Sequence, residues 1–117
     1  MARVVYVVDD EVVISSTLAA ILKNMGFDAL PFNNPLEALR ATATTMPDIL
    51  ISDVMMPELN GIELAIRFKK LSTACKVVLF SGQASTSDML KQAKEDGHDF
   101  VLLTKPVHPT DLLAALK

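Results

Sequence analysis

The sequence has little cysteine, little histidine and no long apolar run, and each shortage excludes a class of protein. Cys75 is the only cysteine among 117 residues, so no internal disulfide can form. No apolar run approaches the roughly 20 residues that a transmembrane helix needs, and the start Met-Ala-Arg-Val-Val lacks the pattern of a signal peptide. His98 and His108 have no partners at the spacing of a zinc site. We therefore expect a protein of the reducing cytoplasm that makes no membrane contact.

The length and the charge narrow the remaining classes. A chain of 117 residues, half of them hydrophobic, suits one domain with a real core, here residues 1–117. The net charge of −3 gives no reason to expect nucleic-acid binding by this chain itself. The chain can be a whole protein or the front of a longer one.

Short apolar runs with little alternation predict the strands. Such runs are typical of strands that are covered on both faces, as in a parallel sheet. A weaker fifth run contains Pro31, which cannot donate to a ladder and therefore predicts an edge strand. The four strong runs are Val4–Val8, Ile49–Ile51, Val77–Phe80 and Phe100–Leu103, and the weak run is Phe27–Phe32.

Apolar residues between these runs recur at the spacing of one helix face. The five inward-facing sets are Ile14, Leu18, Ile21, Leu22 and Met25; Leu36, Leu39 and Ala43; Leu64, Phe68 and Leu71; Met89, Leu90 and Ala93; and Leu112, Leu113 and Leu116. The alternation of strand and helix predicts an α/β fold: a doubly wound, five-stranded parallel sheet in the order 2-1-3-4-5, the flavodoxin-like (βα)5 arrangement.

Polar residues follow four of the predicted strands at the same edge of the sheet. They are Asp9-Asp10-Glu11, Asp53, Ser81-Gly82 and Thr104-Lys105-Pro106. Ligands of such sheets bind beyond the carboxyl ends of the strands, at the switch point between strands 1 and 3. We therefore expect these four loops to form one site.

Three carboxylates at this site favour a hard cation. Asp9, Asp10 and Asp53 would repel one another unless a cation intervened, and an oxygen-only set suits Mg²⁺. A carboxylate such as Asp53 can also attack a phosphoryl group, while Lys105 and Ser81 could stabilise its oxygens. Each residue also has a simpler interpretation: the acids of the first loop could merely begin a helix, Lys105 could be a solvated charge, and Ser81 could be a turn residue. Each of these interpretations is reasonable for one residue, but together they do not explain why all of these residues follow strands at one edge of the sheet.

From end to end the chain resembles the receiver domain of two-component response regulators (the CheY-like family). The matching motifs are Val7-Val8-Asp9-Asp10-Glu11, Asp53-Val54-Met55-Met56-Pro57-Glu58-Leu59-Asn60-Gly61, Ser81-Gly82 and Lys105-Pro106. The resemblance implies a phosphoprotein of phosphorelay signal transduction that forms an aspartyl phosphate. It implies Asp53 as the phosphoacceptor, Ser81 as the switch hydroxyl and Lys105 as the partner of the carboxylate or its phosphate.

The resemblance also implies which residues bind the metal ion and which residues set the rate of autodephosphorylation. Mg²⁺ would be held by Asp10, Asp53 and the backbone carbonyl of Met55, with Asp9 acting through a metal-bound water. Met55 and Gln83 stand where the family tunes the lifetime of the phosphate. Because methionine offers no donor to orient an attacking water, we expect slow autodephosphorylation.

The sequence departs from the family in its fifth strand. The family carries Tyr or Phe three residues before the lysine, where this chain has Leu102 and the nearest aromatic residue is Phe100. Either Phe100 serves through a shifted register or bulge, or the chain has no aromatic switch.

The resemblance implies a signalling switch rather than an enzyme with turnover. Its partners would be a sensor histidine kinase or a histidine phosphotransfer protein, docking near Val12, Val13 and Ser16, and an output partner on the face of strand 4, helix 4, strand 5 and helix 5. A phosphorylation-dependent homodimer stays open. Other classes fit less well: a flavin carrier lacks its phosphate loop, a phosphohydrolase would need Asp-x-Asp at Asp53, and a phosphate-independent receiver conflicts with the complete acidic, serine and lysine set.

Overall fold

The computed structural model describes residues 3–81, 86–97, 100–104 and 108–116, with side chains throughout except at 86–90, 104 and 109. Five strands alternate with five helices along these residues. The strands are β1 (Val4–Val8), β2 (Asp28–Phe32), β3 (Ile49–Asp53), β4 (Lys76–Ser81) and β5 (Val101–Thr104). The helices are α1 (Val12–Asn24), α2 (Pro35–Ala41), α3 (Gly61–Leu71), α4 (Thr86–Glu95) and α5 (Pro109–Leu116).

The five strands form one parallel sheet in the order β2-β1-β3-β4-β5, so the predicted fold and strand order are confirmed. β2, which carries Pro31, is an edge strand as expected. The register brings Val8 opposite Ser52, Asp53 opposite Phe80, and Ser81 opposite Thr104. All five strands therefore end at one edge of the sheet, where the predicted site residues follow.

Apolar side chains cover both faces of the sheet, which explains why the strand sequences do not alternate with polar residues. One core lies on the face of Tyr6 and Val8 and includes Phe68 of α3. The other lies on the face of Val5 and Val7 and includes residues of α1 and α5. Among the described residues, no helix combines the length and the apolar character needed to cross a bilayer.

Several helical residues predicted to face inward do not. Leu71 is 58% exposed because it is the last residue of α3, so no further turn covers it. Ala43 is exposed because α2 already ends at Ala41. Leu36 and Met25 are also exposed, and Met25 is the C-cap residue that directly follows α1.

Small residues that the apolar pattern did not include are buried on these helices. The buried residues of α1 are Ser15, Ala19 and Leu22, and those of α2 are Pro35 and Ala38. Close packing of a helix against a sheet favours small side chains at the nearest approach, and a pattern of large apolar residues does not reveal these positions. The side chains of Met89 and Leu90 lie outside the described residues.

Candidate functional site

The first acidic loop is held in place by its own backbone. The Asp9 N–H donates to the Phe32 carbonyl (3.0 Å), which continues the pairing of β1 with β2 by one residue. The Asp9 carboxylate is buried, and its Oδ1 accepts a hydrogen bond from the Glu11 N–H (2.9 Å). This contact turns the chain into α1 and leaves Asp10 exposed at the edge of the sheet.

The second acid comes from the centre of the sheet. Asp53 is the last residue of β3 and is buried, and the next residue, Val54, donates its N–H to the Phe80 carbonyl of β4 (3.2 Å). Carboxylate oxygens of Asp9, Asp10 and Asp53 all lie within 4.8 Å of one another. The predicted acidic cluster at the switch point of the sheet is therefore present.

The donor set of this cluster fits a hard divalent cation. Three carboxylates at this separation repel one another in a partly buried site, and a cation between them removes that repulsion. Oxygen ligands from one or two carboxylates, completed by water, are the coordination that Mg²⁺ prefers. Met55 lies two residues after Asp53 with an exposed side chain, and the assignment of its carbonyl as a ligand stays a prediction.

The remaining predicted residues belong to β4 and to the segment after β5. Ser81 is the last residue of β4, is buried, and lies one strand away from Asp53. Lys105 and Pro106 lie outside the described residues, as do Gly82 and Gln83. The roles of Ser81 and Lys105 therefore stay predictions, although β5 ends at Thr104, directly before the lysine.

The segment after Asp53 folds back tightly against it. The Gly61 N–H donates to the Val54 carbonyl (2.8 Å), and the Leu59 N–H donates to the Pro57 carbonyl (2.8 Å) around Glu58, whose φ is +70°. A Cβ at Gly61 would lie 2.1 Å from the Asp53 carbonyl oxygen, so only glycine allows α3 to begin here. The first turn of α3 is thus packed directly on the backbone of Asp53.

Sequence reasoning missed one residue of the site. The buried Ser52 hydroxyl donates to the carbonyl of Asp53 (2.9 Å), the same carbonyl that Gly61 packs against. The signal was a serine within the otherwise apolar run Ile49-Leu50-Ile51 that leads to Asp53. A hydroxyl in such a strand needs a hydrogen-bond acceptor nearby, because burying it without one is costly.

The pairing of β4 with β5 bears on the missing aromatic residue. The register runs without interruption from Val78 opposite Val101 to Ser81 opposite Thr104, so these paired residues contain no bulge. Phe100 precedes β5 at the end of the strand far from Ser81 and packs in part against the core. Leu102 is exposed on β5. This register supports the interpretation without an aromatic switch.

Comparisons with known proteins agree on one family. The family model described as "Response regulator receiver domain" matches residues 5–117. The DNA-binding response regulator MtrA of Mycobacterium tuberculosis (strain ATCC 25618 / H37Rv) is 26% identical over 117 residues, which are the whole of this chain and 50% of that protein. The probable transcriptional regulator ycf29 of Pyropia yezoensis is 32% identical, over 99% of this chain and 52% of that protein. The chain thus spans about half the length of these relatives.

Solved structures give the same result. A response regulator receiver domain protein from Clostridium thermocellum superimposes with a TM-score of 0.88 at 29% identity, covering 99% of this chain and 91% of that one. The chemotaxis protein CheY4 of Vibrio cholerae superimposes with a TM-score of 0.86 at 25% identity, covering 99% of this chain and 97% of that one.

Proposed function

The chain belongs to the response regulator receiver domain family of two-component systems, and from this premise we propose that it accepts a phosphoryl group on Asp53. The observation that carries the proposal is the acidic cluster, in which oxygens of Asp9, Asp10 and Asp53 lie within 4.8 Å of one another where β1 and β3 end. Asp53 is the one of the three that ends the central strand, where its neighbours on both sides fix its position.

In the proposed step, a carboxylate oxygen of Asp53 attacks the phosphorus of the donor and forms a P–O bond. The bond between phosphorus and the donor's leaving atom breaks, so acetyl phosphate would release acetate and phosphohistidine would release histidine after protonation. A bound Mg²⁺ would neutralise charge on the phosphoryl oxygens. Asp10, Asp53 and the Met55 carbonyl would hold this ion, Asp9 would act through a water, and Ser81 and Lys105 would stabilise the remaining oxygens.

We propose that the natural donor is a sensor histidine kinase or a histidine phosphotransfer protein that docks on the start of α1. Val12 and Val13 follow the acidic loop directly and are 55% and 76% exposed, and Ser16, one turn on, is exposed as well. Exposed apolar side chains beside a charged site are typical of a protein interface.

A charge at position 13 tests this docking site. With a phosphotransfer protein that phosphorylates the wild-type chain, we expect Val13→Asp to slow transfer, while phosphorylation by acetyl phosphate is unchanged. Met25→Asp, at the other end of α1, is the matched control and should change neither rate. Equal transfer to all three proteins would argue that the donor docks elsewhere.

The output of the switch is part of the same proposal. Phosphorylation would shift the equilibrium between two conformations of the face formed by β4, α4, β5 and α5. In one of these conformations the face would bind an output partner in the cytoplasm. The chain would act as a switch rather than as an enzyme with turnover, and slow autodephosphorylation would keep it in the phosphorylated state.

The acceptor reaction is tested by the intact mass of the protein after incubation with acetyl phosphate. We expect the wild-type chain to gain one phosphoryl group with Mg²⁺ and none with EDTA, and Asp53→Asn to gain none under either condition. A gain that persists in Asp53→Asn, or that does not need a divalent cation, would contradict the proposal.

A further inference from the structure

A groove lies between α3 and α4. Its volume is about 430 Å³. Four of its lining residues come from the start of α3 and three from the end of α4: Asn60, Ile62, Glu63 and Ile66, then Gln92, Ala93 and Asp96. We call it the α3–α4 groove.

The groove has an apolar floor and an acidic rim. Ile62 and Ala93 are buried at the floor, and Ile66 is half-buried and packs against the core beneath it. Glu63 and Asp96 place two carboxylates at the rim, and none of the described lining residues is a lysine or arginine. Asp96 directly follows α4, where the carbonyl groups of the helix end add to its negative potential.

We propose that the α3–α4 groove docks a segment of a partner protein that presents an arginine or lysine between aliphatic side chains. Charge complementarity selects this occupant: a long basic side chain can lay its methylene stem on Ile66 and bring its cationic head to the carboxylates of Glu63 and Asp96. An acidic segment would meet two like charges and would be rejected. Arg67 and Lys94 lie on the same two helices but do not line the groove.

The groove is also connected to the acidic site through the first turn of α3. Asn60 lines the groove, and its Oδ1 accepts the N–H of Glu63 (2.9 Å), which fixes the start of the helix. The next residue, Gly61, packs so closely on Asp53 that a Cβ would lie 2.1 Å from the acceptor's carbonyl oxygen. An occupant that shifts this turn must shift the backbone of Asp53, so docking and phosphorylation are coupled in both directions. The coupling rests on the proposed function, whereas the docking does not.

Docking is tested by ¹⁵N NMR titration of the full chain, without a phosphodonor, with two short peptides. The probes are acetyl-Leu-Arg-Leu-amide and acetyl-Leu-Glu-Leu-amide, which share their apolar residues and differ in charge. We expect the arginine peptide to shift amide resonances of residues 60–66 and 92–96, and the glutamate peptide to leave them unchanged. Absence of shifts with the arginine peptide, equal shifts with both peptides, or shifts centred on other residues would overturn the docking proposal.

Variants of the rim separate charge recognition from adhesion to an apolar surface. We expect Glu63→Gln combined with Asp96→Asn to weaken binding of the arginine peptide about three- to tenfold, as for exposed ion pairs. Glu37→Gln is the matched control, because Glu37 is also the exposed third residue of an asparagine-capped helix. An affinity that is unchanged in the rim variant, or lowered as much in the control, would contradict recognition by the rim.

Coupling is tested on the same samples with acetyl phosphate and Mg²⁺. Arginine peptide at the concentration that half-saturates the wild-type chain should change the rate of Asp53 phosphorylation there, and should change it less in the rim variant, which binds the peptide more weakly. A peptide that occupies the groove without changing this rate would refute the coupling while the docking stands. A wild-type chain that gains no phosphoryl group from acetyl phosphate or from a histidine phosphotransfer protein would instead refute the proposed function.

Discussion

At the scale of single residues, close contacts hold the backbone of Asp53 and the side chain of Tyr6 in place. The carbonyl of Asp53 is fixed from two sides, by the Ser52 hydroxyl (2.9 Å) and by the Cα of Gly61. Tyr6 joins two parts of the molecule, because its ring packs on Phe32 with ring centres 4.8 Å apart while its hydroxyl donates to a backbone carbonyl. We therefore expect single substitutions at these positions to have separable effects on the phosphorylation rate and on the free energy of unfolding.

Gly61→Ala should damage the acceptor more than it damages the fold. The new Cβ would meet the Asp53 carbonyl oxygen at 2.1 Å, and a misplaced acceptor slows transfer roughly tenfold to a hundredfold. The measurement is the initial rate of phosphorylation by acetyl phosphate, with stability followed by urea unfolding. Gly26→Ala is the control: its φ of +95° makes alanine costly there, but nothing lies within 4 Å of the added Cβ. A normal rate in Gly61→Ala would contradict the packing described for α3.

Tyr6→Phe should lower the free energy of unfolding by about 1 kcal/mol, the usual net contribution of a hydrogen bond. The lost contact is the hydroxyl of Tyr6, which lies near the carbonyls of Ala41 and Thr45, whereas the ring contacts remain. Urea unfolding at neutral pH measures the difference. No change in stability would mean that the hydroxyl contributes nothing to anchoring the segment after α2.

The same tyrosine predicts a pH dependence. Burial raises the pKa of Tyr6 above its ordinary value of 10.0. The stabilisation from the neutral hydroxyl is therefore fully present below pH 10 and is lost as the pH rises through the higher pKa of the folded chain. Because Tyr6 is the only tyrosine, the ultraviolet absorbance of tyrosinate reports on it alone. Ionisation at or below the ordinary pKa in the folded chain would contradict its burial.

At the scale of elements, strands were easier to predict from the sequence than helix faces. A buried parallel strand needs only an apolar run, so Val4–Val8 matched β1 and the other strands differed by one or two residues at their ends. Helix faces depend on what each turn meets, which local spacing does not contain. Leu71 continues the spacing of α3 yet is exposed, and Ser15 interrupts the apolar pattern of α1 yet is buried.

The residues of the site also fall into those that the sequence predicted and those that it did not. The acidic cluster followed from the sequence because parallel strands bring their ends to one edge, whatever the details of packing. The roles of the Ser52 hydroxyl and of Gly61 could not be predicted from the sequence. Both depend on the distance between the backbone of β3 and the start of α3.

The two asparagine caps provide a prediction at this scale. Asn34 Oδ1 accepts the N–H of Leu36 (2.8 Å) at the start of α2, and Asn60 Oδ1 accepts the N–H of Glu63 at the start of α3. Replacing either by alanine should destabilise the chain by about 1 kcal/mol. Only Asn60→Ala should also slow the proposed phosphorylation of Asp53, because α3 begins against Asp53 and α2 does not. Equal rates in the two variants would argue against a role of α3 in positioning Asp53.

At the scale of the whole molecule, the acidic cluster links cation binding to global stability. Three carboxylates, each with one oxygen within 4.8 Å of the other two, disfavour the folded chain when no cation is bound, because unfolding separates them. A cation that binds only the folded chain reverses this effect, and the gain grows with its concentration.

Mg²⁺ should therefore raise the free energy of unfolding, by about 1.4 kcal/mol when its concentration is ten times its dissociation constant. In EDTA, Asp10→Asn should be more stable than the wild-type chain, because one of the three like charges is removed. In excess Mg²⁺ the order should reverse. Thermal unfolding of both proteins under both conditions measures this crossing, and Asp28→Asn, an exposed acid on β2, should show no reversal.

Locating the modified residue tests whether Asp53 carries the phosphoryl group. The chain is phosphorylated with acetyl phosphate and Mg²⁺, the acyl phosphate is reduced with borohydride, and the peptides are sequenced by mass spectrometry. Reduction converts an aspartyl phosphate to homoserine and leaves free aspartate unchanged. We expect homoserine at position 53 and at no other aspartate. Homoserine at position 9 or 10, or its absence from a chain that has gained a phosphoryl group, would contradict this expectation.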